Sequence, residues 1–168
     1  MISRLGRFGP GWLVAYALPP VAWAGVIFWL SSRTASQAGD ALGPLADVPL
    51  VSEAFHFGEY CLLAFLVFRL MATVGGLRRA APPGSPVQAL DLLLGNVSGA
   101  ASFAYAISDE VHQTFVPGRT FAVEDLAVDL AGIVTGIAAA WAWRWWRNIR
   151  CRQCHRSNRS EPTTSTHA

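Results

Sequence analysis

Residues Ser108–Arg119 read SDEVHQTFVPGR, and an apolar run flanks them on each side, Ala89 to Ile107 before and Val123 to Trp146 after. Each flank is close to the ~20 mainly apolar residues that a helix needs to cross a bilayer. Two crossings joined by so short a segment hold that segment at one membrane face. Asp109, Glu110, His112, Gln113 and Arg119 therefore sit where ionisable groups are expensive to keep, and such positions default to function.

Two further runs upstream have the same length and character, Trp12 to Leu30 and Phe55 to Thr73. The chain of 168 residues is 52% hydrophobic and only 14% charged, against about a quarter charged in an ordinary soluble domain. A soluble domain of this size could not cover so much apolar surface. The predicted fold class is an all-α membrane protein with four transmembrane helices. Pro19-Pro20 should kink the first span without ending it. Arg4 and Arg7 before an apolar run invite a signal-peptide reading, but the run is long and no small-x-small cleavage site follows, so retention is expected.

Four spans put both termini and the second connector on one side. Eleven of the 13 basic residues, all Arg, fall there, leaving Arg33 and Arg119 opposite. The positive-inside rule then predicts an N-in/C-in protein, with Trp141, Trp143, Trp145 and Trp146 as an aromatic belt at the cytoplasmic face. Residues 1–147 form the expected membrane domain, and 148–168 a disordered, Arg-rich cytoplasmic tail. The expected location is a bacterial cytoplasmic membrane, crossed several times, with membrane lipids as partners. The net charge of +2 offers no argument for nucleic acid.

This topology gathers polar residues from three spans. The second span begins near His56, the third ends near Asp109, and the fourth begins near Asp125, so all three ends share the outward face. On the second, His56 and Tyr60 follow i, i+4 with Glu59 beside them. On the third, Ser98, Ser102, Tyr105, Asp109 and His112 make a polar stripe if the helix runs that far. On the fourth, Asp125, Asp129, Gly132 and Gly136 share a face, with Asp129 about 6 Å deeper than Asp125. A carboxylate at that depth needs a cation, a donor or a proton. Asp91 lies at the other end and is excluded from the site. Gly132/Gly136 and Gly95/Gly99 have the small-xxx-small spacing of close helix contacts. Val116-Pro117-Gly118-Arg119 reads as a type II turn that would aim the Arg119 guanidinium at Asp125 or at an anionic ligand.

Together these residues resemble the signature of the VanZ-like family of bacterial membrane proteins. SDEVHQTFVPGR, followed by Asp125, Asp129 and Gly132-x-x-x-Gly136, is similar to the family's S-D-E-x-x-Q-x-F-x-x-x-R and D-x-x-x-[ND]-x-x-G-x-x-x-G. His56-Phe57-x-x-Tyr60-x-x-Leu63 is similar to its H-F-x-x-Y-x-x-L element, and Ser31-Ser32 to its S-S after the first span. Where members often carry Asp-Lys ahead of the His, this chain has Ser52-Glu53. The resemblance implies a small polytopic membrane protein and, from the family's namesake, reduced susceptibility to the glycopeptide teicoplanin.

Three functions are open at this stage. A binding protein would use His56, Tyr60, Asp109, Glu110, Gln113, Arg119, Asp125 and Asp129 on a lipid-linked or anionic headgroup ligand of the cell envelope. A membrane enzyme would use His56 or His112 as general base, with Asp109 or Glu110 orienting it or acting as acid. A small proton-coupled transporter would use Asp125 and Asp129, although four spans show no internal repeat. Against all three stands a scaffold reading in which Asp109, Arg119 and Asp125 tie span ends together as a salt-bridge network. No metal is expected, since Glu110-x-His112 is not a ligand signature. No cofactor is expected either: Cys151-Arg-Gln-Cys154-His155 has the C-x-x-C-H haem spacing but lies in the polar tail. Cys61, inside the second span, reads as packing.

Overall fold

The computed structural model describes residues 9–43, 50–76 and 86–157. Four helices in it are long and apolar enough to cross a membrane, and no strand occurs among the described residues. The first is Pro10–Ser31, the second Val51–Val74, the third Pro86–Gln113 and the fourth Val123–Ser157. A short helix, Ala35–Leu42, follows the first span. Thr34 closes its N-terminus with a capping box, accepting from Gln37 N while the Gln37 side chain accepts from Thr34 N.

The first helix survives Pro19-Pro20 by winding as a π-helix over Leu13–Ala17 immediately before them. Proline lacks an N–H and crowds the carbonyl one turn back, and a widened turn relieves that conflict. The third helix runs to Gln113, beyond Ile107, so the whole polar stripe is helical. The fourth continues to Ser157, past Arg147, where the sequence places the start of the tail. Residues 148–157 contain neither Gly nor Pro, so nothing local ends the backbone ladder there. Residues 158–168, and the side chains of Cys151, Cys154 and His155, lie outside the described ones.

The second and fourth helices make the closest pairing in the bundle, and two glycines explain it. A Cβ at Gly132 would run into the Phe57 carbonyl, and one at Gly136 into the Cys61 carbonyl. The backbones thus touch, as small-xxx-small spacing permits. Gly95 serves the third helix differently, leaving room for the Trp141 indole, which also meets Phe68 edge-on at 5.9 Å. Trp141 is therefore partly buried between helices, while Trp143, Trp145 and Trp146 are exposed.

Ile27, Tyr60, Leu63, Ala64, Ala106 and Ile133 form the core where the four helices meet. The first helix is the least enclosed. Hydrogen bonds fasten it: Trp23 Nε1 donates to the Glu59 carbonyl at 2.9 Å, and the Tyr105 hydroxyl to the Ala24 carbonyl at 2.7 Å. With no water in the hydrocarbon layer, such bonds hold an element that apolar contact alone cannot sort from lipid.

Candidate functional site

At one end of the bundle the second, third and fourth helices converge on three buried carboxylates. Asp109 is 4% exposed, Glu110 1% and Asp129 0%. His56, also buried, lies beside Glu110 and Asp129. Its Nδ1 lies 3.2 Å from Asp129 Oδ1, and its Nε2 lies 3.9 Å from Asp125 Oδ2. Asp129 faces His56 because Gly132, one turn further on, lets the fourth helix rest on the Phe57 backbone. The packing glycines thereby set the geometry of the polar site.

The third helix supplies the other half. Gln113 Nε2 donates to Glu110 Oε1 at 3.2 Å and to Asp109 Oδ2 at 3.3 Å, joining residues one helical turn apart. The second Glu110 oxygen accepts the Ala122 backbone N–H at 3.1 Å, which ties the start of the fourth helix to the end of the third. Ser31 Oγ donates to Asp109 Oδ2 at 2.7 Å, bringing the first helix in as well. All four spans therefore contribute to one polar cluster.

That cluster is not closed. Asp109 Oδ1, Asp129 Oδ2 and the Tyr60 hydroxyl are buried without a hydrogen-bond partner among the described residues. Burying an unpaired polar atom costs about 1–3 kcal/mol, more for a charged one. His56, Glu110 and Asp129 each present one ligand-type atom, and these atoms lie within 4.8 Å of one another. They are the described residues best placed to hold a cation.

Several sequence expectations meet this geometry unevenly. His56, Glu110, Gln113, Asp109, Asp129 and Asp125 do come together. Tyr60 is buried against the core, its ring 6.5 Å from that of Tyr105. His112 does not join the cluster: Phe28 stacks on its ring at 4.5 Å, and its Nε2 lies 3.1 Å from Ser32 Oγ. It lies at the seam of the first and third helices, and Asp129, rather than Asp109 or Glu110, is the carboxylate beside His56. The type II turn forms, with Gly118 at φ 79° and the Arg119 N–H bonded to the Val116 carbonyl. It does not deliver Arg119 to Asp125. Arg119 Nε donates to the Arg33 carbonyl at 3.4 Å, and among the described residues no carboxylate lies within ion-pair distance of its guanidinium. A network tying Asp109, Arg119 and Asp125 together is absent.

Ser31 and the Ala122 N–H are parts of the site that residue chemistry did not single out. Only the Ser31-Ser32 element of the resemblance pointed there: Ser31 meets Asp109 and Ser32 meets His112. A backbone donor such as Ala122 leaves no trace in a sequence. Also unforeseen is a buried ion pair at the opposite end, where Arg144 Nη1 of the fourth helix meets Asp91 of the third.

Among known proteins, the family model described as VanZ/LLP1 matches residues 13–144, a stretch that takes in every site residue named above. No curated protein and no solved structure matches the chain.

Proposed function

The chain belongs to the VanZ/LLP1 family and is a multi-pass membrane protein, and from that premise we propose that its polar site faces outward and binds an anionic, envelope-associated headgroup. Both termini are cytoplasmic in this reading, in a bacterial plasma membrane. The Arg bias supports that orientation. It holds even with Arg144 set aside, whose guanidinium is committed to Asp91.

The observation that carries the ligand reading is the pairing of unsatisfied acceptors with Arg side chains that form no ion pair among the described residues, at one end of the bundle. Asp109 and Asp129 each keep a buried oxygen without a partner. Arg119 and Arg33 meet at the same end, one through its side chain and the other through its carbonyl. Arg33 otherwise lies over the Trp29 ring, 4.1 Å from its centroid. A headgroup with a phosphate or carboxylate for the guanidinium groups, and hydroxyl or amine donors for Asp109, Glu110 and the His56–Asp129 pair, satisfies both sets. Lowered glycopeptide susceptibility would follow from holding an envelope component in this site.

Expression in a teicoplanin-sensitive host provides the test. Arg119→Ala and Asp109→Ala should each abolish any gain in the inhibitory concentration while leaving protein abundance in the membrane unchanged. Retention of the gain by both variants would exclude the site. Orientation is read separately. Thr120→Cys should react with a membrane-impermeant thiol reagent in intact cells, and labelling seen only after lysis would reverse the topology.

A second reading, acid/base catalysis on the same class of ligand, rests on the His56–Asp129 contact, since an imidazole oriented by a buried carboxylate is a general-base arrangement. It predicts that purified protein consumes a lipid-linked substrate presented in vesicles and that His56→Gln stops it. Binding without turnover would leave the first reading alone.

A further inference from the structure

We propose that His56, Glu110 and Asp129 hold one divalent transition-metal ion, Zn2+ or Mn2+, in a three-ligand site with an open coordination position. The proposal does not depend on the headgroup reading.

The three side chains come from three different helices, and each is buried. Their ligand atoms lie within 4.8 Å of one another. Around a tetrahedral ion with bonds of about 2.1 Å, ligand atoms are separated by about 3.4 Å. The His56 Nδ1 to Asp129 Oδ1 distance of 3.2 Å already matches that separation, and Glu110 offers its ligand atom within 4.8 Å of theirs.

Charge favours an ion over a closed hydrogen-bond network. Glu110 and Asp129, both buried, lie beside a single imidazole, and among the described residues no Arg forms an ion pair with either of them. Asp129 is wholly buried, yet its Oδ2 has no partner. Buried charge of one sign needs a counter-charge, and a divalent cation would match Glu110 and Asp129 together.

The surroundings have the form of a metal site's outer shell. Glu110 is oriented through both oxygens, by Gln113 and by the Ala122 N–H, and each oxygen retains a lone pair for a metal. His56 has Asp125 on its far side, 3.9 Å from Nε2. There it can accept the proton of a ligating imidazole, as carboxylates beside metal-bound His do. One nitrogen and two carboxylate oxygens suit Zn2+ or Mn2+ rather than a thiolate-seeking metal. Three protein ligands, instead of four, leave a position for water or for an oxygen of a bound molecule, as in catalytic sites.

Metal analysis of the full chain purified in detergent tests the proposal. The Cys151→Ser/Cys154→Ser variant serves as the parent, so that tail thiols cannot contribute. It should carry about one Zn2+ or Mn2+ per chain, lose it to a chelator with a fall in melting temperature, and recover both when the ion is returned. Asp129→Asn and Glu110→Gln in that background should each fall below about a tenth of an ion. Two results would overturn the proposal: a folded parent that takes up neither ion from solution, or Asp129→Asn protein that keeps full occupancy. If either variant fails to fold, the chelation and return cycle on the parent decides alone.

Discussion

The third helix carries buried carboxylates at both ends, and the two ends are built on opposite plans. At one, Asp91 meets Arg144, charge against charge, with both side chains buried. At the other, Asp109, Glu110 and Asp129 share one His, one Gln, one Ser and a backbone N–H, and two carboxylate oxygens remain unpaired. A neutral, closed pair is what a scaffold requires of a polar group inside a bundle. An acidic surplus held in place by packing calls for a cation, a donor or a proton to complete it. Residue type alone would not separate them, since an aspartate inside a span reads as functional in either place.

The contrast can be broken most completely at the contact both ends depend on. Gly136→Val would drive a side chain into the Cys61 carbonyl and push the second helix off the fourth. Folded protein should be largely lost, as judged by size-exclusion recovery, because a backbone cannot yield as a side chain can.

Next in size is the closed end. Arg144→Ala leaves Asp91 buried and unpaired, which should cost about 3–5 kcal/mol and appear as a lower melting temperature in detergent. Replacing both partners with Asp91→Leu and Arg144→Met should restore most of that loss, since well-packed apolar pairs replace buried ion pairs at little cost. A double variant as unstable as the single one would show that the pair does more than neutralise itself.

At the open end the effects should be smaller. Ser31→Ala removes one donor from Asp109, worth about 1.5–3 kcal/mol for a bond to a charged acceptor, and loosens the first helix from the third. Asp129→Asn keeps an acceptor for His56 and removes one surplus charge. In metal-stripped protein it should change stability by no more than about 1 kcal/mol, whereas Asp91→Asn, by removing the negative charge that the buried Arg144 meets, should cost several times that. Equal losses from the two asparagine substitutions would mean that Asp129 is a scaffold residue like Asp91.

Much of the architecture was legible beforehand because hydrophobic run length is read directly from composition. All four spans were placed, and the Pro-Gly turn was identified from Pro117, which presets its own φ, and Gly118, which admits the positive φ the second corner needs. Side-chain destinations were less legible. Arg119, expected at Asp125, turns to the Arg33 carbonyl, and His112, expected in the cluster, packs under Phe28. His112 lies at the wrong seam because helical periodicity gives the side of a helix and not which neighbour occupies it, and Arg119 because a turn fixes the backbone and not the reach of a long side chain. Arg144 was counted as a cytoplasmic charge, although it pairs inside the bundle with a residue 53 positions away.

The sequence by itself determined that this is a four-span helical protein with polar residues from several spans at one end. Connectivity forces that, since successive span ends must alternate between faces. Only the tertiary structure decided which of those residues meet. Gly132 and Gly136 bring the fourth helix onto the backbone of the second, and that contact sets Asp129 against His56 while Glu110 closes in from the third. Rotation and depth of each helix follow from interhelical packing, and packing is a property of pairs of surfaces that no single segment contains.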